Sequence, residues 1–283
     1  MIRILSDSST LYSVKEGQSN SVDIAPLVVT INDKAYMENE EINSKEFLKL
    51  INEGHIPKSS QPPIGYVLDL YNKYPEDEII NISMADGLSG TYNSACMAKN
   101  MAINPERIDV INSKTLCGPQ RYLVDLAVRL VEKGYNKESI INEINKTIET
   151  SKSFLIPHDF DFLVRGGRIS SIVGKIGSVV KLVPIMALAE DSKSLVKFST
   201  KRSFKKAVKK IMEYLIENNI DSDYKFYISH ADNLELAIEA KGGVSEFIKD
   251  ADIEIKELGP AFITQGGPSC ISIQIIKKHE ELK

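Results

Sequence analysis

Short apolar runs and stretches of helical periodicity take turns along the first half of the chain. Runs at residues 2–5, 26–31, 79–83 and 108–112 predict strands. The spacing between and after them predicts helices over 44–53, 63–74, 91–101, 118–133 and 137–151. Asn43 and Glu46 stand at the N-cap and N3 spacing of a capping box, and Pro63 falls in the first turn of its helix. Alternation of this kind predicts a mostly parallel sheet covered by helices. The second half changes character. A long apolar run at 178–190 and a second at 195–200, separated by Asp191-Ser192-Lys193-Ser194, predict a hairpin. A helix over 201–218, a strand over 224–229, a helix over 233–250 and strands near 253–257 and 271–276 complete an α/β or α+β unit.

Length turns this pattern into an architecture. A chain of 283 residues exceeds what one hydrophobic core usually serves, so two domains of roughly 130–150 residues are expected. The expected fold class is therefore α/β with two domains, 1–151 and 152–283. Each holds a mostly parallel or mixed sheet covered by helices, and the default ligand site lies between them. No internal repeat or low-complexity tract interrupts the chain.

Composition mainly excludes. Hydrophobic residues at 42% and charged residues at 26% are those of an ordinary globular protein, and a formal net charge of −4 argues against nucleic acid as a partner. The three cysteines, Cys96, Cys117 and Cys270, are odd in number and widely spaced, so neither a disulfide scaffold nor a cysteine zinc site is expected. His55, His158, His230 and His279 form no i, i+3 or i, i+4 pair, and no metal is expected. The N-terminus lacks a basic region followed by a long apolar one, and no run approaches about 18 apolar residues. A cytoplasmic location is expected.

The candidate chemistry concentrates in three hydroxyl- and glycine-bearing segments. Ala85 to Ala95, containing Leu88-Ser89-Gly90-Thr91, follows a predicted strand and enters a predicted helix. Helix N-terminal N–H groups and short hydroxyls on such a turn favour an anionic group. Ser59-Ser60-Gln61-Pro62-Pro63 and Arg165-Gly166-Gly167-Arg168-Ile169-Ser170 carry the same kind of chemistry. Each also has a plain reading: Ser89 as a helix cap, the Ser59 segment as a loop before a proline-started helix. Capping and ligand binding are compatible, because neighbouring hydroxyls can divide the two tasks. A nucleophilic Ser89 would make the chain an acyl hydrolase or transferase, but Gly87-Leu88-Ser89-Gly90-Thr91 departs from G-x-S-x-G and no His/Asp pair is placed by spacing.

Other motifs exclude more than they assign. No G-x-G-x-x-G or P-loop lysine is present, so a resident nucleotide is not expected. Gly174-Lys175-Ile176-Gly177 has the form of an RNA-binding KH loop, against which the net charge argues. His230, beside Asp232 at a predicted strand end, reads as structural or as a site residue. Lys201, Arg202, Lys205, Lys206, Lys209 and Lys210 form an acid-free basic segment around an apolar stripe of Phe204, Val208, Ile211 and Leu215. It is either a solvated face or a docking surface for an acidic partner, a phosphorylated product or an anionic membrane.

Taken together and in order, Ser6-Asp7-Ser8-Ser9, Ser59-Ser60-Gln61-Pro62, Leu88-Ser89-Gly90-Thr91-Tyr92, Gly166-Gly167-Arg168-Ile169-Ser170 and Gly259-Pro260 through Gly267-Pro268 resemble the DegV family, over nearly the whole chain. That family comprises bacterial fatty-acid-binding subunits of fatty acid kinase, tied to phospholipid synthesis. The resemblance implies a two-domain α/β carrier, not itself an enzyme and without a cofactor. It would bury one long-chain fatty acid and present the carboxylate to a separate ATP-dependent fatty acid kinase, with transient contact to a membrane surface. A lipid-sensing adaptor is the alternative carrier-like role.

By position, the resemblance implies ligand contacts from Ser59, Ser60, Ser89, Gly90, Thr91, Arg168, Thr264 and Gln265 and matches Arg202 to a basic position after the hairpin, while partner docking through Lys201, Arg202, Lys205 and Lys206 is expected from the basic segment itself. Ser59 stands where the family usually has Thr, and Arg168 matches the Gly-Gly-Arg arginine. Three positions depart: Gln265 stands where His is common, Leu11 where an acid is usual, and Val183 precedes Pro184 where Lys is usual. Gln donates a hydrogen bond but carries no charge, so these departures bear on phosphorylation and on the head group more than on the fold.

Overall fold

A run such as Glu78–Ser83 reads as continuously apolar because both of its faces are covered. In the computed structural model, which describes residues 1–169 and 182–282, Ile80 and Ile82 face one core while Ile79 faces another. Period-two side chains on a strand buried on both faces give this pattern.

In chain order the first half forms β1 (Ile2–Asp7), α1 (Val14–Ser19), β2 (Val22–Ala25), β3 (Val28–Ile31), β4 (Lys34–Met37), α2 (Ser44–Asn52), β5 (Lys58–Ser60), α3 (Ile64–Asn72), β6 (Glu78–Ser83), α4 (Thr91–Met101) and β7 (Ile108–Asn112). Helices α5 (Cys117–Glu132) and α6 (Lys137–Ile148) follow. Strands β2-β1-β6-β7 make an all-parallel sheet, as expected. One face packs on α5 and α6 through Ile4, Ile80, Leu123 and Ile144, and the other on α3 and α4 through Leu5, Val67 and Ala98. Strands β4-β3-β5 form a separate antiparallel sheet that the alternation did not predict.

The second half forms β8 (Lys152–Ile156), α7 (Phe160–Gly166), β9 (Val183–Leu188), β10 (Leu195–Lys201), α8 (Phe204–Glu217), β11 (Tyr224–His230), α9 (Leu234–Phe247), β12 (Asp252–Glu257), α10 (Pro260–Gly266) and β13 (Ile271–Lys277). Its mixed sheet runs β10-β9-β8-β13-β11-β12, with only β11 and β12 parallel. The expected hairpin is β9–β10. Gly174-Lys175-Ile176-Gly177, Ser170 and the start of the 178–190 run lie outside the described residues.

One boundary needs correction. The helix predicted from residue 201 begins at Phe204, where Ser203 caps it by accepting the Lys206 N–H. Lys201 instead closes β10, paired with Val183. A residue engaged in a strand ladder is unavailable to the first turn of a helix, so the basic segment is split between two elements.

The two halves share core. Tyr227 of β11 and Ile276 of β13 join the cluster around α5. Gly118 of α5 lies so near Tyr227 that an added Cβ would sit 2.1 Å from its ring. A third cluster draws Val29, Ile31 and Phe47 from the first half together with Leu258, Ile263 and Cys270 from the second. The candidate site opens beside this shared core.

A candidate ligand site between the two halves

The loop after β6 is held from behind by the first sequence motif. Asp7, at the carboxyl end of β1, accepts hydrogen bonds from the backbone N–H of Met84 and of Ser9, both at 3.0 Å, and from Gln120 Nε2 at 3.3 Å. Burial raises its carboxyl above the usual range, opposed by these hydrogen bonds. Ser8 Oγ receives the Leu27 N–H at 2.8 Å and donates to Glu38 Oε1. Glu38, 1% exposed, also accepts the Ala261 N–H at 2.9 Å, which fastens the first turn of α10. Burial pushes the Glu38 carboxyl up to about 7, with Asp7 adding to the rise. Ser6-Asp7-Ser8-Ser9 is thus a scaffold, and Glu38 is a supporting residue that no sequence motif announced.

On this scaffold sit the polar residues of the site. Ser59, in β5, is fixed by pairing with Val29. Gln265, in the last turn of α10, donates from Nε2 to Ser59 Oγ at 3.0 Å. An added Cβ at Gly166 would lie 2.0 Å from Gln265 Oε1, so only glycine permits this approach. Ser89 Oγ lies 2.7 Å from Thr91 Oγ1 and accepts the Thr91 N–H at 3.3 Å, so it satisfies the start of α4 while standing before the cavity. Gly167, with φ 70°, ends α7 and turns the chain toward Arg168. The guanidinium of Arg168 donates from Nε to the Leu88 carbonyl at 3.1 Å and from Nη1 to the Gly166 carbonyl at 2.5 Å. Arg168 therefore ties the Ser89 loop to the end of α7.

These groups border a cavity that is open to solvent at its mouth. Its walls are mostly apolar and come from both halves: Leu27, Met84, Leu88 and Leu116 from the first, Leu155, Leu163, Leu195 and Phe262 from the second. Among the expected ligand residues, Ser59, Ser60, Ser89, Arg168 and Gln265 line it. Three do not. Gly90 stands beside Gln61, where a Cβ would meet Gln61 Oε1 at 3.0 Å, and Thr91 is buried behind Ser89. Thr264 is buried and its hydroxyl is spent on the Pro260 carbonyl at 2.9 Å, as helical Thr often does.

Cys117 and Cys270 line the cavity, but burial raises both thiols, Cys270 to about 12, far from a thiolate nucleophile. The described hydrogen bonds of the Ser89 hydroxyl go to Thr91, with no imidazole among them. His230 lies away from the cavity lining. Its Nδ1 accepts the Asn233 N–H at 3.2 Å at the start of α9, and burial lowers its pKa. Arg202, Lys205 and Lys206 are exposed, Lys201 is half-buried, and Lys205 Nζ approaches Glu246 at 3.8 Å. No described helix is long and apolar enough to cross a membrane.

The family model described as "Uncharacterised protein, DegV family" matches residues 1–278. A DegV domain-containing protein of Staphylococcus aureus strain N315 is 30% identical over 279 residues, covering 97% of this chain and 98% of the relative. The crystal structure of DegV, a fatty acid binding protein from Bacillus subtilis, superposes with a TM-score of 0.86 at 28% identity, covering 98% of this chain and 99% of that one. A Thermotoga maritima protein whose structure reveals a fatty acid binding function superposes with a TM-score of 0.83 at 25% identity, covering 98% and 99%.

Proposed function

Because the chain belongs to the DegV family, we propose that it binds one long-chain fatty acid between its two halves and presents the carboxylate to a separate ATP-dependent kinase. One observation carries this reading: a mostly apolar cavity built from both halves has Ser59, Ser89, Gln265 and a single described guanidinium, that of Arg168, among its lining residues. Such a site suits a long apolar tail with one small anionic head.

The energetics agree. Burying about 14 methylenes at ~0.8 kcal/mol each supplies about 11 kcal/mol before ordering costs, whereas each neutral hydrogen bond contributes about 1 kcal/mol. The tail holds the ligand and the hydroxyls orient its head. Gln265 Nε2 occupies a lone pair of Ser59 Oγ, which leaves the Ser59 hydrogen for an incoming carboxylate, while Ser89 accepts the Thr91 N–H and shares a hydroxyl–hydroxyl bond with Thr91. In this reading residues 1–151 and 152–283 act as the two domains that close on the lipid, in the cytoplasm. Lys201, Arg202, Lys205 and Lys206 form the surface that meets the kinase, with transient contact to anionic membrane.

Mass spectrometry of the purified protein under native conditions tests the reading. A noncovalent C14–C18 acid is the expected result. An acyl adduct on Ser89 would replace the carrier with an acyl hydrolase or transferase, and an empty protein that takes up no added acid would end the lipid reading.

A further inference from the structure

The inner wall of the cavity is not uniformly apolar. Strand β13 alternates Ile271, Ile273 and Ile275 into the core beneath α8 and α9 with Ser272 and Gln274 on the opposite face, toward the cavity. Ser153 of β8 sits opposite Gln274 and lines the cavity as well. All three are deeply buried, Gln274 at 1% exposed, Ser272 at 7% and Ser153 at 8%. Gln274 Nε2 is fully engaged, donating to Ser153 Oγ at 2.8 Å and to the Leu116 carbonyl at 3.1 Å. Those bonds set the amide, so its Oε1 is the atom left over. Gln274 Oε1 and Ser272 Oγ have no hydrogen-bond partner among the described residues.

The position of this pair matters. Gln265 stands in the last turn of α10 and Ser59 in β5, whereas Ser272 and Gln274 stand on β13 of the six-stranded sheet. The orphaned oxygens therefore belong to a different wall element from Ser59 and Gln265, and a plain hydrocarbon chain lying against them would leave both unpaired.

Resting on the fatty-acid reading above, we infer that the preferred ligand is a long-chain acid carrying a hydroxyl along its chain, donated to Gln274 Oε1 and accepting from Ser272 Oγ. A hydroxyl is one donor and an acceptor, which matches an acceptor-only amide oxygen and a serine hydroxyl two residues away on the same strand face. A free amine would need to be desolvated as a charge, and the wall offers no carboxylate to receive it.

The test is direct binding to the delipidated full-length protein, by displacement of a fluorescent fatty acid. The competitors are stearic acid and a series of hydroxystearic acids whose hydroxyl is stepped along the chain. At least one positional isomer is expected to bind about tenfold tighter than stearic acid. That preference should shrink several-fold in Ser272→Ala and again in Gln274→Leu, with the ratio of the two ligands as the readout. Ser272 Oγ makes no bond within the described structure, so Ser272→Ala keeps the test open even where Gln274→Leu, which also loses two bonds, fails to fold. If stearic acid binds and every hydroxylated isomer binds more weakly, water serves these oxygens and the inference falls alone. If no acid binds at all, the fatty-acid reading falls with it.

Discussion

Gln265 Nε2 donates to Ser59 Oγ at 3.0 Å, joining side chains 206 positions apart. The bond links α10 of the second half to β5 of the first beside the cavity and leaves the Ser59 hydroxyl hydrogen free to turn toward a ligand.

The first prediction concerns that hydroxyl and its companion across the cavity mouth. Ser59→Ala combined with Ser89→Ala should weaken fatty-acid binding by about 1–3 kcal/mol while the protein stays folded, because the tail contribution remains. Displacement of a fluorescent fatty acid and a circular dichroism melt read the two parts. Unchanged affinity would put the head group elsewhere.

Gln265 itself has a pH signature. A protonated His attracts a carboxylate, so with His at this position affinity rises as pH falls through about 6.5, whereas an amide does not titrate. Glu38 titrates in the same range but lies behind α10, outside the cavity lining. Affinity of the native protein should therefore be nearly flat between about pH 5.5 and 8, and Gln265→His should tighten binding toward the acid end. A steep native profile would show that another group faces the carboxylate.

Glu38 should govern stability instead. Its carboxyl is raised by burial from the ordinary 4.5 to about 7, so the folded state holds a proton that the unfolded state releases. Its contribution is fully present below about 4.5 and is lost as pH rises through about 7, by an amount on the order of 3 kcal/mol. Glu38→Gln removes that proton linkage. Thermal melts across this range should show the native protein losing stability relative to the variant as pH rises, and parallel curves would mean that Glu38 does not carry the linkage.

The basic segment is tested by charge reversal. Lys201, Arg202, Lys205 and Lys206 changed to Glu should slow acyl-phosphate formation by a reconstituted fatty acid kinase and abolish its salt dependence, without displacing lipid. An unaltered rate and salt response would leave these residues as a solvated face.

Local pattern alone specified a good part of this protein. The Asn43–Glu46 capping box starts α2 where the spacing predicts, the helix over 91–101 matches α4, and the apolar run of β6 is buried on both faces. In each case the signal lies within about a dozen neighbouring residues, which is the range over which periodicity and capping act. Strands β2, β4 and β5, with three or four residues each, and the seven-residue helices α7 and α10 were too short to carry a period. β8, as long as the predicted β7, was missed although it lies inside the six-stranded sheet.

The ordered hydroxyl and glycine motifs marked Ser59, Ser89, Arg168 and Gln265 in the sequence, and all four border the cavity. What sequence order could not supply is who stands behind them. The closure of Glu38 on Ala261, the glycine gap at Gly166, the spending of the Thr264 hydroxyl on Pro260 and the orphaned oxygens of Ser272 and Gln274 all depend on neighbours brought together by packing. Elements are written in short-range propensity and pattern. The cavity exists only where long-range burial of the shared core leaves a gap between two halves, and only the tertiary structure decides which side chains face it.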